Sequence, residues 1–98
     1  MKVIEKGHIY ELQSYEGMGD QKLKFISKNG STIVHDGTTN EEVLDVLIDR
    51  INFLQETLPC KENEFVIKNL QQSLIWLNNR TIKRLEQGVE GTKEMHKS

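Results

Sequence analysis

Two arginines near the carboxyl end of the chain have the spacing of an anion-binding pair. Arg80 and Arg84 lie one helical turn apart, Lys83 lies beside them, and Trp76 precedes Arg80 by four residues. Guanidinium groups at this spacing can bind two phosphates, and an indole ring nearby can stack on a base. A structural interpretation also fits, because basic residues in the last turns of a helix interact favourably with its dipole and a tryptophan can belong to a core or an interface. Spacing alone leaves both interpretations open.

The sequence contains no recognisable arrangement of residues for catalysis. The histidines, His8, His35 and His96, are far apart in sequence, and none has a partner at the spacing of a metal site or a catalytic triad. Phosphate-binding glycine loops, dinucleotide-binding loops and zinc-protease motifs are absent. Cys60 is interpreted as a buried turn residue, since no base accompanies it. We therefore expect a protein that is not an enzyme and uses neither a metal nor a cofactor.

Length and charge narrow the function classes further. The 98 residues fit a single domain, 1–98, and so short a chain is expected to gain stability by associating with further copies of itself. A net charge of −2 argues against binding to DNA or RNA polymers. The single cysteine and the lack of a long apolar segment predict a soluble protein of a reducing compartment, the cytoplasm, with neither a signal peptide nor a membrane span.

Residues 1–36 have the pattern of a three-stranded antiparallel meander. Extended segments are expected at 7–15, 22–28 and 31–35. Asn29-Gly30 between the last two is typical of a type I′ hairpin turn, which needs positive φ at both central residues. A small sheet at the amino end of the chain follows from this pattern.

Residues 39–87 have the pattern of a two-helix hairpin, which gives an α+β fold class. Thr39 and Glu42 form a capping box at the start of the first helix, and Pro59 ends it. The second helix is expected from 62 to 85 with Gly88 as terminator, followed by a flexible tail over 89–98. The residues predicted to join the helices are Leu44, Leu47, Ile48, Ile51, Leu54 and Leu58 in the first and Val66, Leu70, Leu74, Leu77 and Thr81 in the second.

The second helix also carries apolar residues away from this row. Phe65, Ile75, Trp76 and Ile82 lie on its other sides, and a helix that is apolar on more than one side is buried on more than one side. A second subunit, most simply in a symmetric dimer, is expected to cover them.

The hairpin segments resemble a family of phage proteins. The resemblance is carried by Gly37-Thr38-Thr39-Asn40-Glu41-Glu42-Val43-Leu44, Leu47-Ile48-Asp49-Arg50, Pro59-Cys60-Lys61-Glu62-Asn63, and Leu70 through Trp76-Leu77 to Arg80 and Arg84. These segments are similar to those of the Thoeris anti-defence proteins of the first type, which share a helical hairpin with the anti-CBASS sponge proteins. The resemblance covers most of the chain and is strongest from Gly37 to Arg84.

The resemblance implies a sponge for a bacterial immune signal. Members of the family bind glycocyclic ADP-ribose without cleaving it, and some take up cyclic trinucleotides and assemble as trimers of dimers. By position in the motif, the implied ligand-binding residues are Phe53, Asn63, Arg80 and Arg84. Trp76 is a further candidate as a stacking ring, and Tyr10 and Thr38 are candidates because strand ends are expected near the first helix.

The spacing of the four implied residues has a consequence for assembly. Asn63 and Arg80 are 17 residues apart, which is roughly 25 Å on a continuous helix and too far for one small nucleotide. Phe53 and Asn63 both lie near the interhelical turn, whereas the arginines lie at the opposite end. A pocket that contains all four must combine two antiparallel subunits.

Two other functions remain open at this point. The apolar residues Phe65, Trp76 and Ile82 would also suit a protein–protein inhibitor or assembly factor. A phosphodiesterase that degrades the signal is disfavoured, because neither a metal site nor a general base is recognisable.

Overall fold

The computed structural model describes residues 1–87. Five strands are followed by two helices, and the described residues form two compact units, 1–39 and 40–87. The predicted α+β class is confirmed, while the single domain stays a prediction. The predicted tail 89–98 and the terminator Gly88 lie outside the described residues.

The first unit contains a three-stranded antiparallel sheet. Its strands are β1 (Lys2–Glu5), β2 (Ile9–Gln13) and β3 (Asp20–Lys24), in the order β1-β2-β3. The meander is therefore confirmed, but the strands that form it are not the three that were predicted. β1 was not predicted, since all four of its residues are exposed and two are charged, which hides the alternation that marks a half-buried strand.

The segment expected to be the third strand belongs to a separate two-stranded sheet. β4 (Ser27–Asn29) pairs with β5 (Thr32–His35), so the predicted hairpin is confirmed. The predicted type I′ turn was wrong. Asn29 pairs with Thr32, and only the Gly30 φ is positive, at 66°, which is the pattern of a type II′ turn with glycine in the first central position.

After β5 the chain crosses the segment that links the two sheets. The Ile26 amide donates to the Thr38 carbonyl at 2.9 Å, and the Thr38 amide donates to the Lys24 carbonyl at 2.8 Å. Between these bonds Gly37 lies against backbone: a Cβ atom there would be 2.4 Å from the Phe25 carbonyl carbon. Only glycine fits this crossing, because backbone atoms held in hydrogen bonds cannot move aside.

The second unit is the helical hairpin, formed by α1 (Asn40–Thr57) and α2 (Lys61–Glu86). α1 begins directly after Thr39, as predicted for a threonine cap, and ends just before Leu58-Pro59. Gln87 caps the end of α2, and its amide donates to the Leu85 and Lys83 carbonyls. Acidic residues in the first turn of α1 and basic residues in the last turn of α2 each match the helix dipole.

The contact between the helices is a regular seam of half-buried side chains. In α2 these residues alternate in steps of four and three along the helix, as in a coiled coil, and they are Asn63, Ile67, Leu70, Leu74, Leu77, Thr81 and Arg84. In α1 the seam comprises Leu44, Ile48, Ile51, Leu54 and Gln55.

Three predicted seam residues lie outside it. Leu47, Leu58 and Val66 are 42%, 76% and 40% exposed, and Ile67 takes the place assigned to Val66. Within the two helices no residue is fully buried. Among residues 1–87, no helix is long and apolar enough to cross a membrane.

Candidate ligand-binding site

The four predicted ligand-binding residues lie in two pairs at opposite ends of the hairpin. Phe53 lies near the end of α1 and Asn63 in the first turn of α2, so both flank the interhelical turn. Arg80 and Arg84 lie in the last two turns of α2. Because α2 is one continuous helix, its rise of 1.5 Å per residue places Asn63 and Arg80 roughly 25 Å apart along the axis. One hairpin therefore has each pair at one end and keeps the two pairs apart.

At the arginine end, the two guanidinium groups have different surroundings. Arg80 is exposed, whereas Arg84 is half-buried on the seam. Residues four apart on a helix are offset by about 40°, so the row Trp76, Arg80, Arg84 passes from the outer face of α2 to the seam. The three side chains thus form a stripe in which Trp76, 65% exposed, lies farthest from α1.

A shallow cleft lies along this stripe on the outer face of α2. Its volume is about 260 Å³, and it is lined by Trp76, Asn79, Arg80, Ile82 and Lys83. Ligand pockets that enclose a small molecule usually measure about 300–1,000 Å³. The cleft is therefore smaller than a pocket that encloses a ligand, and its lining offers two cations, an amide, an aromatic ring and an aliphatic side chain.

The turn end has different chemistry. Phe53 is 57% exposed and offers an aromatic face, and Asn63 is half-buried and offers an amide. Neither carries a charge, so this end suits a base or a sugar hydroxyl better than a phosphate.

A contact at the turn end was not predicted from the sequence. The Gln55 side chain donates from Nε2 to the Cys60 carbonyl at 3.1 Å, and the Cys60 amide donates to Gln55 Oε1 at 3.0 Å. The expectation that Cys60 is buried was wrong, since its residue is exposed, and it begins α2 without a side-chain cap. No spacing rule marks a glutamine that bonds to a turn five residues later, because the bond depends on the turn conformation.

Tyr10 and Thr38, the candidates from the strand unit, both adjoin Phe25. The Tyr10 and Phe25 rings meet edge to face, with centroids 6.0 Å apart. Thr38 forms a parallel bridge with Phe25 through the backbone bonds that enclose Gly37. The two candidates therefore share Phe25 as a neighbour. The sequence did not predict this, because the three residues are far apart along the chain.

The same unit brings together two histidines that are distant in sequence. The His8 and His35 rings meet edge to face at 5.8 Å, and His35 Nε2 lies 3.7 Å from Glu5 Oε1. This cluster links the two sheets. Within residues 1–87, no group of three or more histidine, cysteine or acidic residues is arranged to hold a metal ion.

Comparison with known proteins adds to this geometry. The hairpin domain of the Acb2/Tad1 family matches residues 20–81, which is more than half of the chain. The chain is also 41% identical over 59 residues to a protein of Bacillus phage SBSphiJ7 named Thoeris anti-defense 1. That match covers 59% of this chain and 42% of the relative, so the chain spans less than half of the relative's length. The chain belongs to the Acb2/Tad1 hairpin family.

Proposed function

We propose that the protein is a non-catalytic phage sponge that binds glycocyclic ADP-ribose in the host bacterial cytoplasm and holds it intact. Membership of the Acb2/Tad1 hairpin family supports this function, as does similarity to a phage protein named for anti-defence against Thoeris. The observation that carries the proposal is the stripe of Trp76, Arg80 and Arg84 beside a cleft on α2.

The arginine end has the chemistry of a pyrophosphate clamp. Each guanidinium group presents a planar set of donors that matches phosphate oxygens. Arg84 is half-buried, so its bonds to phosphate are shielded from water and are stronger than those of a fully exposed side chain. Trp76 adds a ring on which a base can stack.

The complete site requires two copies of the chain. Within one hairpin the uncharged pair Phe53 and Asn63 is roughly 25 Å from the arginine pair, whereas an antiparallel second hairpin brings its arginines beside the first copy's turn. A twofold dimer then contains two equivalent pockets, each with Phe53 and Asn63 from one copy and Arg80 and Arg84 from the other. The large exposed side chains of α2 supply apolar surface for such a contact.

Sequestration needs no chemistry on the ligand. A sponge that binds more tightly than the immune effector, and exceeds the signal in concentration, keeps the effector inactive by mass action. Two arginines, a stacked ring and burial between subunits are compatible with nanomolar affinity, about −12 kcal/mol. In the same proposal, trimers of such dimers bind cyclic trinucleotides at separate sites and thereby block CBASS effectors.

Calorimetric titration with glycocyclic ADP-ribose, in parallel with a cyclic trinucleotide, tests the proposal. The expected result is tight binding of glycocyclic ADP-ribose at one ligand per subunit, with unchanged ligand recovered by chromatography after the complex is heated. Recovery of a cleaved product would identify a phosphodiesterase instead. No heat with either ligand would contradict the sponge function.

A second candidate function is a protein–protein inhibitor or assembly factor. It is favoured by the exposure of Phe65, Trp76 and Ile82, at 58%, 65% and 51%. Such a protein would form a stable complex with one host or phage protein and give no heat with nucleotides. Substitution of Trp76 by alanine would then abolish the protein complex, which affinity purification followed by mass spectrometry detects.

A further inference from the structure

We infer that Gln55 is a positioning residue for the turn end of the ligand site: it fixes Phe53 relative to Asn63. This inference rests on the proposed function, since it concerns how that site is held in shape. Its structural basis is the pair of hydrogen bonds between the Gln55 side chain and the backbone of Cys60.

The two bonds use both halves of one planar amide. Gln55 Nε2 donates to the Cys60 carbonyl at 3.1 Å and Gln55 Oε1 accepts from the Cys60 amide at 3.0 Å. A rigid group that is held at both atoms cannot rotate about its last side-chain bond without losing a bond. The contact therefore fixes both the distance and the orientation of Cys60 relative to α1.

On the α1 side the Leu58 amide donates to the Leu54 carbonyl at 2.9 Å, but the restraints at the start of α2 are weak. Cys60 provides no side-chain cap for α2, and the first helical bond, from the Glu64 amide to the Cys60 carbonyl, is long at 3.4 Å. Leu58 is 76% exposed and contributes little packing. Gln55, which is half-buried on the seam, is thus the main side-chain link that sets where α2 begins.

The two candidate ligand contacts lie directly on either side of this link. Phe53 precedes Gln55 by two residues and Asn63 follows Cys60 by three. The chain between the two contacts therefore runs through the segment that Gln55 holds. The apolar seam from Leu44 to Leu77 holds the rest of the hairpin, so loss of the Gln55 bonds should displace the contacts without unfolding the helices.

The test compares Gln55→Leu and Gln55→Glu with the control Gln72→Glu, which changes an exposed glutamine on α2. We expect Gln55→Leu to weaken binding of glycocyclic ADP-ribose by about 10- to 100-fold, with helical circular dichroism unchanged. Gln55→Glu keeps the acceptor but sets a carboxylate oxygen against the Cys60 carbonyl oxygen, so it should also weaken binding. The control should bind as wild type does.

A double-mutant cycle distinguishes positioning from a general structural effect. If Gln55 acts through the turn end, Gln55→Leu and Phe53→Ala together should cost less than the sum of the two single losses. Gln55→Leu and Arg80→Ala should instead be additive. Coupling to Arg80 rather than to Phe53, or wild-type affinity in Gln55→Leu, would overturn the inference.

The failures of the two proposals are separable. If the wild type binds and Arg84→Ala does not, while Gln55→Leu binds normally, the inference about Gln55 falls and the sponge function stands. If the wild type gives no heat with the ligand, the proposed function falls and the inference falls with it.

Discussion

The two ends of the helical hairpin differ in charge, in exposure and in what holds them. The turn end offers Phe53 and Asn63, both uncharged, and is fixed by a side-chain amide across the loop. The arginine end offers Arg80 and Arg84 in a stripe that descends from the outer face into the seam. A nucleotide needs contacts to both base and phosphate, and the turn pair Phe53 and Asn63 has no charged group for the phosphate. In the proposed function each end is therefore half of a site, which association of two copies completes.

The largest expected effect is at the arginine end. Arg84→Ala should weaken binding of glycocyclic ADP-ribose by at least about 100-fold, because it removes a half-buried, charge-assisted partner of phosphate. Calorimetric titration measures the loss, and light scattering should show an unchanged oligomer. Arg50→Ala, which removes an exposed arginine from α1, is the matched control and should bind normally. Wild-type affinity in Arg84→Ala would remove this end from the site.

A smaller effect is expected at the turn end. Phe53→Ala should weaken the same binding by about 10- to 100-fold, the usual loss for one stacked base. Leu58→Ala is a suitable control, since Leu58 is also a large exposed apolar residue close to the turn. Equal losses in the two variants would show that the turn end contributes general apolar surface and no specific contact.

The salt dependence of binding should distinguish the charged contacts of the arginine end from the uncharged contacts of the turn end. Raising sodium chloride from about 0.15 to 1 M shortens the screening length to about 3 Å and should weaken wild-type binding by about 5-fold. The same fold-weakening between the two salt concentrations is expected in Phe53→Ala. A smaller fold-weakening is expected in Arg80→Ala, because only the arginine end binds through charge. If salt weakens binding as much in Arg80→Ala as in the wild type, Arg80 does not bind the phosphate.

The smallest effect on ligand affinity is expected from the strand unit. Gly37→Ala should destabilise that unit by about 2–4 kcal/mol, since its new Cβ atom would meet hydrogen-bonded backbone at 2.4 Å. Ligand affinity should nevertheless change by less than about 3-fold if the hairpin ends form the site independently. Chemical denaturation and titration measure the two quantities, and Gly19→Ala, where a Cβ atom meets nothing within 4 Å, is the control. A tenfold loss of affinity would assign Thr38 or Tyr10 to the site.

The hairpin was predictable because its signals are local. A threonine cap before Asn40, a proline after α1 and a helical apolar period fix both helices within the chain. The seam itself was predicted less well. Leu47 and Leu58 were assigned to it from the helical period of the apolar residues, whereas the structure places the polar Gln55 there.

The strand unit was predicted less well than the hairpin, because its contacts join residues that are distant in sequence. β1 is short and wholly exposed, and the crossing at Gly37 joins segments that are about a dozen residues apart in sequence. Contacts such as Tyr10 with Phe25, and His8 with His35, follow from that crossing and from strand pairing. No local rule connects these residues, so the surroundings of Thr38 and Tyr10 could not be predicted. Phe53 and Asn63 as ligand contacts came from family resemblance and remain predictions.

The shared site is tested most directly by mixing two defective variants. Phe53→Ala and Arg84→Ala are unfolded and refolded together, and glycocyclic ADP-ribose is titrated at a protein concentration where neither variant alone binds measurably. In a mixed dimer one pocket carries both substitutions and the other carries none, and about half of randomly assembled dimers are mixed. We predict wild-type affinity at about one ligand per four chains. No binding above that of the separate variants would contradict a site built from the two ends of different copies.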